Sequence, residues 1–205
     1  IDHGQAHDAL ADVRATIALA RLIKEKQPKL FDYAFSLRQK AHVIKQINLQ
    51  QLTPLVHVSS KIPASQGCCT WILPVAQHPS NPNAIICVDL SKDPQAILNE
   101  NAETLRSLLY ARQESFEEGQ QRPGIKLIHI NRSPFITTAK ALTEDNADRL
   151  GLNRDQCLEN YKRLAEDNAW RDTLIELYNE PHEDSEVDAD HALYSGGFLT
   201  NEEKH

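Results

Sequence analysis

Five short runs of β-branched and apolar residues, each closed off by turn formers, constrain this chain more than anything else in it. They cover residues 54–59, 70–76, 84–90, 126–131 and 135–138. Runs of this length and composition fit strands better than helices. The string His78-Pro-Ser-Asn-Pro-Asn83 supplies the turn between the second and third. Pro74 sits inside the second run, so that strand is expected either at a sheet edge or with a bulge. Around the strands lie helical patterns at 8–25, 29–47, 94–112, 154–165 and 170–178. The last two are expected to turn Leu158, Tyr161, Leu164, Leu174, Ile175 and Leu177 inward. Strands and helices interleaved in this way predict an α+β fold, a small and mostly antiparallel sheet or barrel carrying helical insertions.

The net charge of −7 is unevenly placed. Residues 180–205 hold eight acids against Lys204 alone, whereas the remaining 21 acids and 21 bases balance. The acidity therefore belongs to a tail, and the neutral body is free to meet a nucleic acid. No apolar run approaches the ~18 residues of a membrane helix. The four cysteines (Cys68, Cys69, Cys87 and Cys157) form no C-x-x-C pair, so neither structural zinc nor a disulfide framework is expected. Free thiols in a reducing cytoplasm fit this usage. The chain begins at Ile1 and contains no methionine, which reads as an excised piece of a longer protein.

Chemistry-bearing residues gather at the start. In His7-x-Ala9-x-x-Asp12-x-x-Ala15 a histidine and a carboxylate stand five residues apart where the helix of 8–25 begins. Asp8 fits its N-cap. Leu10, Val13, Ile17 and Ala20, with Leu19, Leu22 and Ile23, form an apolar stripe in need of a partner. A histidine with a pKa near ~6.5 can act as a base at neutral pH. A carboxylate suits an oxygen-seeking cation such as Mg2+. An ordinary capped helix start explains the same residues. So does an HD-type metal phosphohydrolase, since His7-Asp8 is an HD doublet. That chemistry needs further ligands, and His42, His57, His78 and His129 fall mostly on expected strands and turns. The stretch 29–47 mixes Phe31, Tyr33 and Phe35 with Lys29, Arg38, Lys40 and Lys45. It reads either as a connecting helix with solvated bases or as a face that stacks bases and tracks phosphates.

The nine-residue string resembles the third motif of the DEDDh 3′→5′ exonucleases. Further strings narrow this to a resemblance to the exodeoxyribonuclease I family of bacterial single-strand-specific exonucleases. They are Gln27-Pro-Lys-Leu-Phe-Asp-Tyr33, Pro54-Leu-Val-His-Val-Ser59, His78-Pro-x-Asn-x-Asn-Ala84, Lys126-Leu-Ile-His-Ile-Asn131, Asp145-Asn-Ala-Asp-Arg-Leu-Gly151 and Asn153-Arg-x-x-Cys157. The resemblance implies three parts. Residues 1–27 would end a ribonuclease-H-like exonuclease domain, 28–179 would form a Src-homology-3-like β-barrel with helical insertions, and 180–205 would be an acidic linker into a helical domain.

It also implies roles. His7 would be the general base and Asp12 a ligand of catalytic Mg2+, with three further acidic ligands upstream of Ile1. The chain alone would then be inactive, a DNA-gripping piece of an enzyme that releases 5′-mononucleotides from single-stranded DNA in repair. A stand-alone single-stranded-DNA-binding module is the alternative. Positions matching the family's DNA contacts are Lys40, Asn83, Lys126 and Asn131. Lys126 and Asn131 are five apart, so a regular strand would point them to opposite faces. Either Asn131 lies past the strand end or only one of them faces DNA. The family also docks the acidic C-terminal tail of single-stranded-DNA-binding protein. Thr53, Thr143 and Ala165 stand at three positions where docking bases would be sought.

Overall fold

The structure is a computed structural model that describes residues 9–116 and 120–179. His7 and the expected Asp8 cap, like the acidic tail, lie outside the described residues. The centre is a five-stranded antiparallel sheet in the order β4-β3-β2-β1-β5. Its strands are β1 (Leu55–Val58), β2 (Cys69–Gln77), β3 (Ala84–Asp89), β4 (Ile125–His129) and β5 (Phe135–Thr138). All five expected strands are present. Pro74 lies in β2, flanked by β1 and β3, and the β2–β3 register shifts between Pro74 and Ala76. β1 pairs β2 only at Cys69–Ile72, so the proline sits beside a bulge and, on the β1 side, beyond the end of the pairing, and both devices spare its missing N–H.

Both faces of the sheet are covered. In β3, Ile86 and Val88 enter one core while Ile85 and Cys87 enter another. The same alternation splits Trp71, Leu73 and Val75 of β2 from Ile72. Double burial explains why 84–90 reads as an unbroken apolar run. The larger core is completed by α4 (Gln95–Asn99), α5 (Ala102–Tyr110), α6 (Glu144–Arg149), α7 (Arg154–Ala165) and α8 (Ala169–Leu177). The smaller one is closed by residues of α2 (Pro28–Ser36) and α3 (Lys40–Gln46), with Leu37 between them and Val43 both buried.

Three expectations about helices are corrected. The pattern at 29–47 is two helices: Leu37 drops into the smaller core, and Gln39, in extended backbone, starts α3. The pattern at 94–112 also breaks, because the Asn101 side chain accepts the Thr104 N–H and caps a new helix, α5. Leu158 of α7 is 40% exposed, whereas Leu164, Leu174 and Leu177 are buried as expected. Helix α1 (Ala9–Lys26) forms where expected, opening just inside position 8, and Pro28 takes the first turn of α2. Leu10, Val13, Ile17, Leu19 and Leu22 of α1 are all exposed.

Polar side chains tie the layers together. Tyr33 Oη donates to the Ile136 carbonyl at 2.6 Å and fastens α2 to β5. Arg171 of α8 donates through Nη2 to the carbonyls of Leu49 (3.1 Å) and Val75 (2.7 Å). Asn160, fully buried in α7, donates to the carbonyls of Leu90 and Lys92 at 2.9 Å each. It accepts from Gln156 Nε2 at 3.1 Å. On the smaller-core face His57, Thr70 and Asp89 are buried together. Asp89 Oδ1 accepts from Thr70 Oγ1 (2.6 Å) and Ser91 Oγ (2.7 Å). His57 Nδ1 lies 3.1 Å from the Phe135 carbonyl. Burial above all, opposed by that carbonyl, holds the His57 imidazole below its ordinary pKa; Lys126 lowers it further and Asp89 raises it.

Replacing Asn160 with alanine strips two buried carbonyls of their donor and leaves a small void. We expect a loss of about 3 kcal/mol in urea denaturation with an unchanged m value. The pH dependence has a definite sign. His57 binds its proton less readily folded than unfolded, so the stability it contributes is present above about pH 6.5 and fades as the pH falls toward its depressed value. His78 and His129 are lowered too and add in the same direction. The urea midpoint should drop as the pH falls below about 6.5, and His57→Gln should flatten that drop.

Candidate nucleic-acid interface

The four residues proposed for DNA contact do not form one cluster. Lys40 opens α3, and its Nζ donates to Asn83 Oδ1 at 2.7 Å. These two are 43 positions apart in sequence and meet because the Asn81-centred turn delivers Asn83 to the end of the sheet. There the Asn83 N–H bonds Asn81 Oδ1 at 3.0 Å, while its carbonyl accepts from the Ile130 N–H at 2.9 Å. Asn131 follows directly and is exposed. Strand β4 ends at His129, so Asn131 lies past the strand end, the first of the two arrangements the spacing allowed. Lys40, Asn83 and Asn131 thus belong to one end of the sheet.

Lys126 stands apart from them. Opposite Cys87, it lies three positions along β4 from the His129–Ala84 pair, roughly 10 Å at the rise of a strand. Its Nζ is 3.8 Å from Asp89 Oδ2, and the two side chains are 28% and 7% exposed. Lys126 is therefore the counter-ion of a buried carboxylate as well as a half-exposed cation.

Other groups enrich the Asn83 end. Burial, then Arg132 and Lys61, hold the His129 imidazole below its ordinary value, so it stays largely neutral at pH 7 while the two cations remain near it. His78, its ring 4.8 Å from that of Tyr178 at a tilt of 44°, is lowered by burial and then by His129. Sequence reading passed over Lys61 and Arg132, and nothing in their local sequence marks them: loop closure alone brings them here. On α2, Phe31 and Phe35 stack at 6.0 Å, with the Arg38 guanidinium 4.0 Å from the Phe35 ring and Lys24 Nζ 5.6 Å from that of Phe31. Phe35 nevertheless stays 53% exposed.

Asp12 is an exposed carboxylate in the first turn of α1. Among the described residues, no group of three or more His, Cys, Asp or Glu is arranged to hold a metal ion. One carboxylate does not fit the ligand requirement of Mg2+. Among the described residues His42, His57, His78 and His129 join no such group, and the His7-Asp8 doublet of the HD-type alternative lies outside them. No helix among the described residues is long and apolar enough to cross a membrane.

Comparison with known proteins fits this architecture. The family model described as the exonuclease I SH3-like domain matches residues 38–180. Exodeoxyribonuclease I of Haemophilus influenzae is 42% identical over 205 residues, all of this chain and 43% of the relative. That of Escherichia coli is 42% identical over 199 residues, covering 97% of this chain and 42% of the relative. The crystal structure of E. coli exonuclease I in complex with a dA16 oligonucleotide superposes with a TM-score of 0.92 at 41% identity. It is covered to 43%, against 98% of this chain. The chain thus spans less than half the length of these relatives. With a matching domain model over most of its length and sequence similarity from end to end, the chain belongs to the exonuclease I family, and residues 38–180, which hold the whole sheet, match that family's SH3-like domain.

Proposed function

We propose that this chain is the DNA-gripping part of a magnesium-dependent 3′→5′ exonuclease that releases 5′-mononucleotides from single-stranded DNA in repair. The observation that carries the reading is the Lys40–Asn83 pair beside the exposed Asn131. A lysine hydrogen-bonded to a neutral amide keeps its charge for phosphate, and the asparagines can bond phosphate, sugar or base edge. The solved E. coli relatives bound to oligonucleotides support the same substrate. Residues 1–27 are read as the end of the catalytic domain, 28–179 as the accessory domain, and 180–205 as a linker to a further domain. His7 would take the proton of the attacking water. Asp12 would be one ligand of a metal site completed by carboxylates of the catalytic domain. The described residues do not form such a site, and we assign no metal step to them.

The protein partner is proposed to be the acidic tail of single-stranded-DNA-binding protein. A hollow of about 370 Å³ between α2 and β5 supports it: Leu30, Tyr33, Phe135 and Leu142 line it, and Lys29 supplies a cation. This lies where the two proposed domains would join. An apolar floor with a basic rim suits a peptide that is acidic with apolar side chains.

Two tests follow. Incubated with end-labelled single-stranded DNA and magnesium, the chain should release no nucleotides, and release that disappears in His7→Ala would overturn the assignment. In titrations at low salt the chain should bind single-stranded DNA modestly. Lys40→Glu combined with Lys126→Gln should lower the slope of log affinity against log salt by about 1.4, at ~0.7 per phosphate contact. Unchanged binding would show that the face is wrong. Lys126→Gln is compared with wild type for stability as well, since it leaves Asp89 without its counter-ion.

A further inference from the structure

We infer that the hollow beside the Lys40–Asn83 pair receives one unstacked base of the bound strand, so that this end of the sheet grips a whole nucleotide and not only its phosphate. The inference rests on the single-stranded-DNA reading above and adds to it the part of the ligand that enters the protein.

The hollow measures about 390 Å³, above the ~300 Å³ at which small-ligand pockets begin. Ile44, Ile47 and Leu49 wall it on one side and Ile85 with Ile130 on the other, while Lys40, Gln77 and Pro82 complete the lining. Ile85 and Ile130 belong to the smaller core, so the hollow is an opening of that core toward solvent. Ile44 is 48% exposed although it lies against this apolar surface.

The chemistry of the lining selects the occupant. Among the described residues no carboxylate lines the hollow, and the one charged member, Lys40, is hydrogen-bonded to an amide. A ligand that fits must therefore carry negative charge at the rim and a flat, weakly polar body within. A nucleotide has that division, with its phosphate on Lys40 and its ring between aliphatic walls. Gln77 donates Nε2 to the Pro82 carbonyl at 3.3 Å, which leaves its Oε1 as an acceptor for a base edge. One acceptor between aliphatic walls cannot distinguish four bases, so the site tolerates any sequence, as stacking sites do. A neutral apolar chain would bring no charge to Lys40, and an acidic peptide would place its charge and its bulk with no such fixed spacing.

The test is a cycle between protein and DNA, run on the full 205-residue chain. Fluorescence anisotropy at low salt compares a thymidine 12-mer with a 12-mer of the same charge that lacks bases throughout. Ile44→Ser should weaken binding of the thymidine strand by about fivefold or more while leaving the abasic strand unchanged. Ile44→Phe, which keeps an apolar wall, should retain the wild-type preference for bases. If Ile44→Ser affects both strands equally, or neither, the base-binding role is wrong. Failure of the underlying reading looks different: Lys40→Glu would then leave the affinity for both strands unchanged.

Discussion

A sheet covered on both faces is the constraint from which the rest of this domain follows. Each strand must send alternate side chains into separate cores, so neither face is spared for solvent and polar residues are confined to strand ends and turns. Where a polar group does enter, it brings its own partners. Asp89 is surrounded by two hydroxyls and an ammonium, and Asn160 satisfies two carbonyls where the chain leaves β3. The same constraint moves the candidate binding groups to the sheet's rim, because only there can a lysine, an asparagine and water coexist.

How much of this was legible depends on the range of the interaction involved. The strands could be read because double burial writes an apolar run directly into the sequence. Helix α7 could be read because Asn153 caps it and apolar residues recur along it. The breaks at Leu37 and Asn101 were hidden. The first depends on a cavity formed by distant strands, and the second on a capping asparagine within an otherwise continuous helical pattern. Pro74 allowed either an edge or a bulge, and the pairing of β2 shows both: a register shift against β3 and no β1 partner beyond Ile72.

The site divides in the same way. Residue types for DNA contact were recognisable through family resemblance, and the position of Asn131 past β4 settled one geometric conflict. Their grouping was not legible, since Lys40 meets Asn83 across 43 positions while Lys126 is drawn instead to Asp89. The pair proposed for catalysis shows the opposite case. His7 and Asp12 are conspicuous in sequence, yet Asp12 stands on an exposed helix without companion ligands among the described residues. A motif names a chemistry, but only the surrounding fold can supply the rest of its atoms.

Arg171 gives this arrangement a mechanical consequence. It grows from α8, on the larger-core side, and holds the carbonyls of Leu49 and Val75 with one nitrogen. Leu49 is a wall of the hollow on the opposite side of the sheet. The guanidinium therefore acts as a tie-rod through the end of the sheet, and the spacing of that wall is set by where α8 sits. A change deep under α8 would be felt as a change in the spacing of that wall, with none of the residues lining the hollow altered.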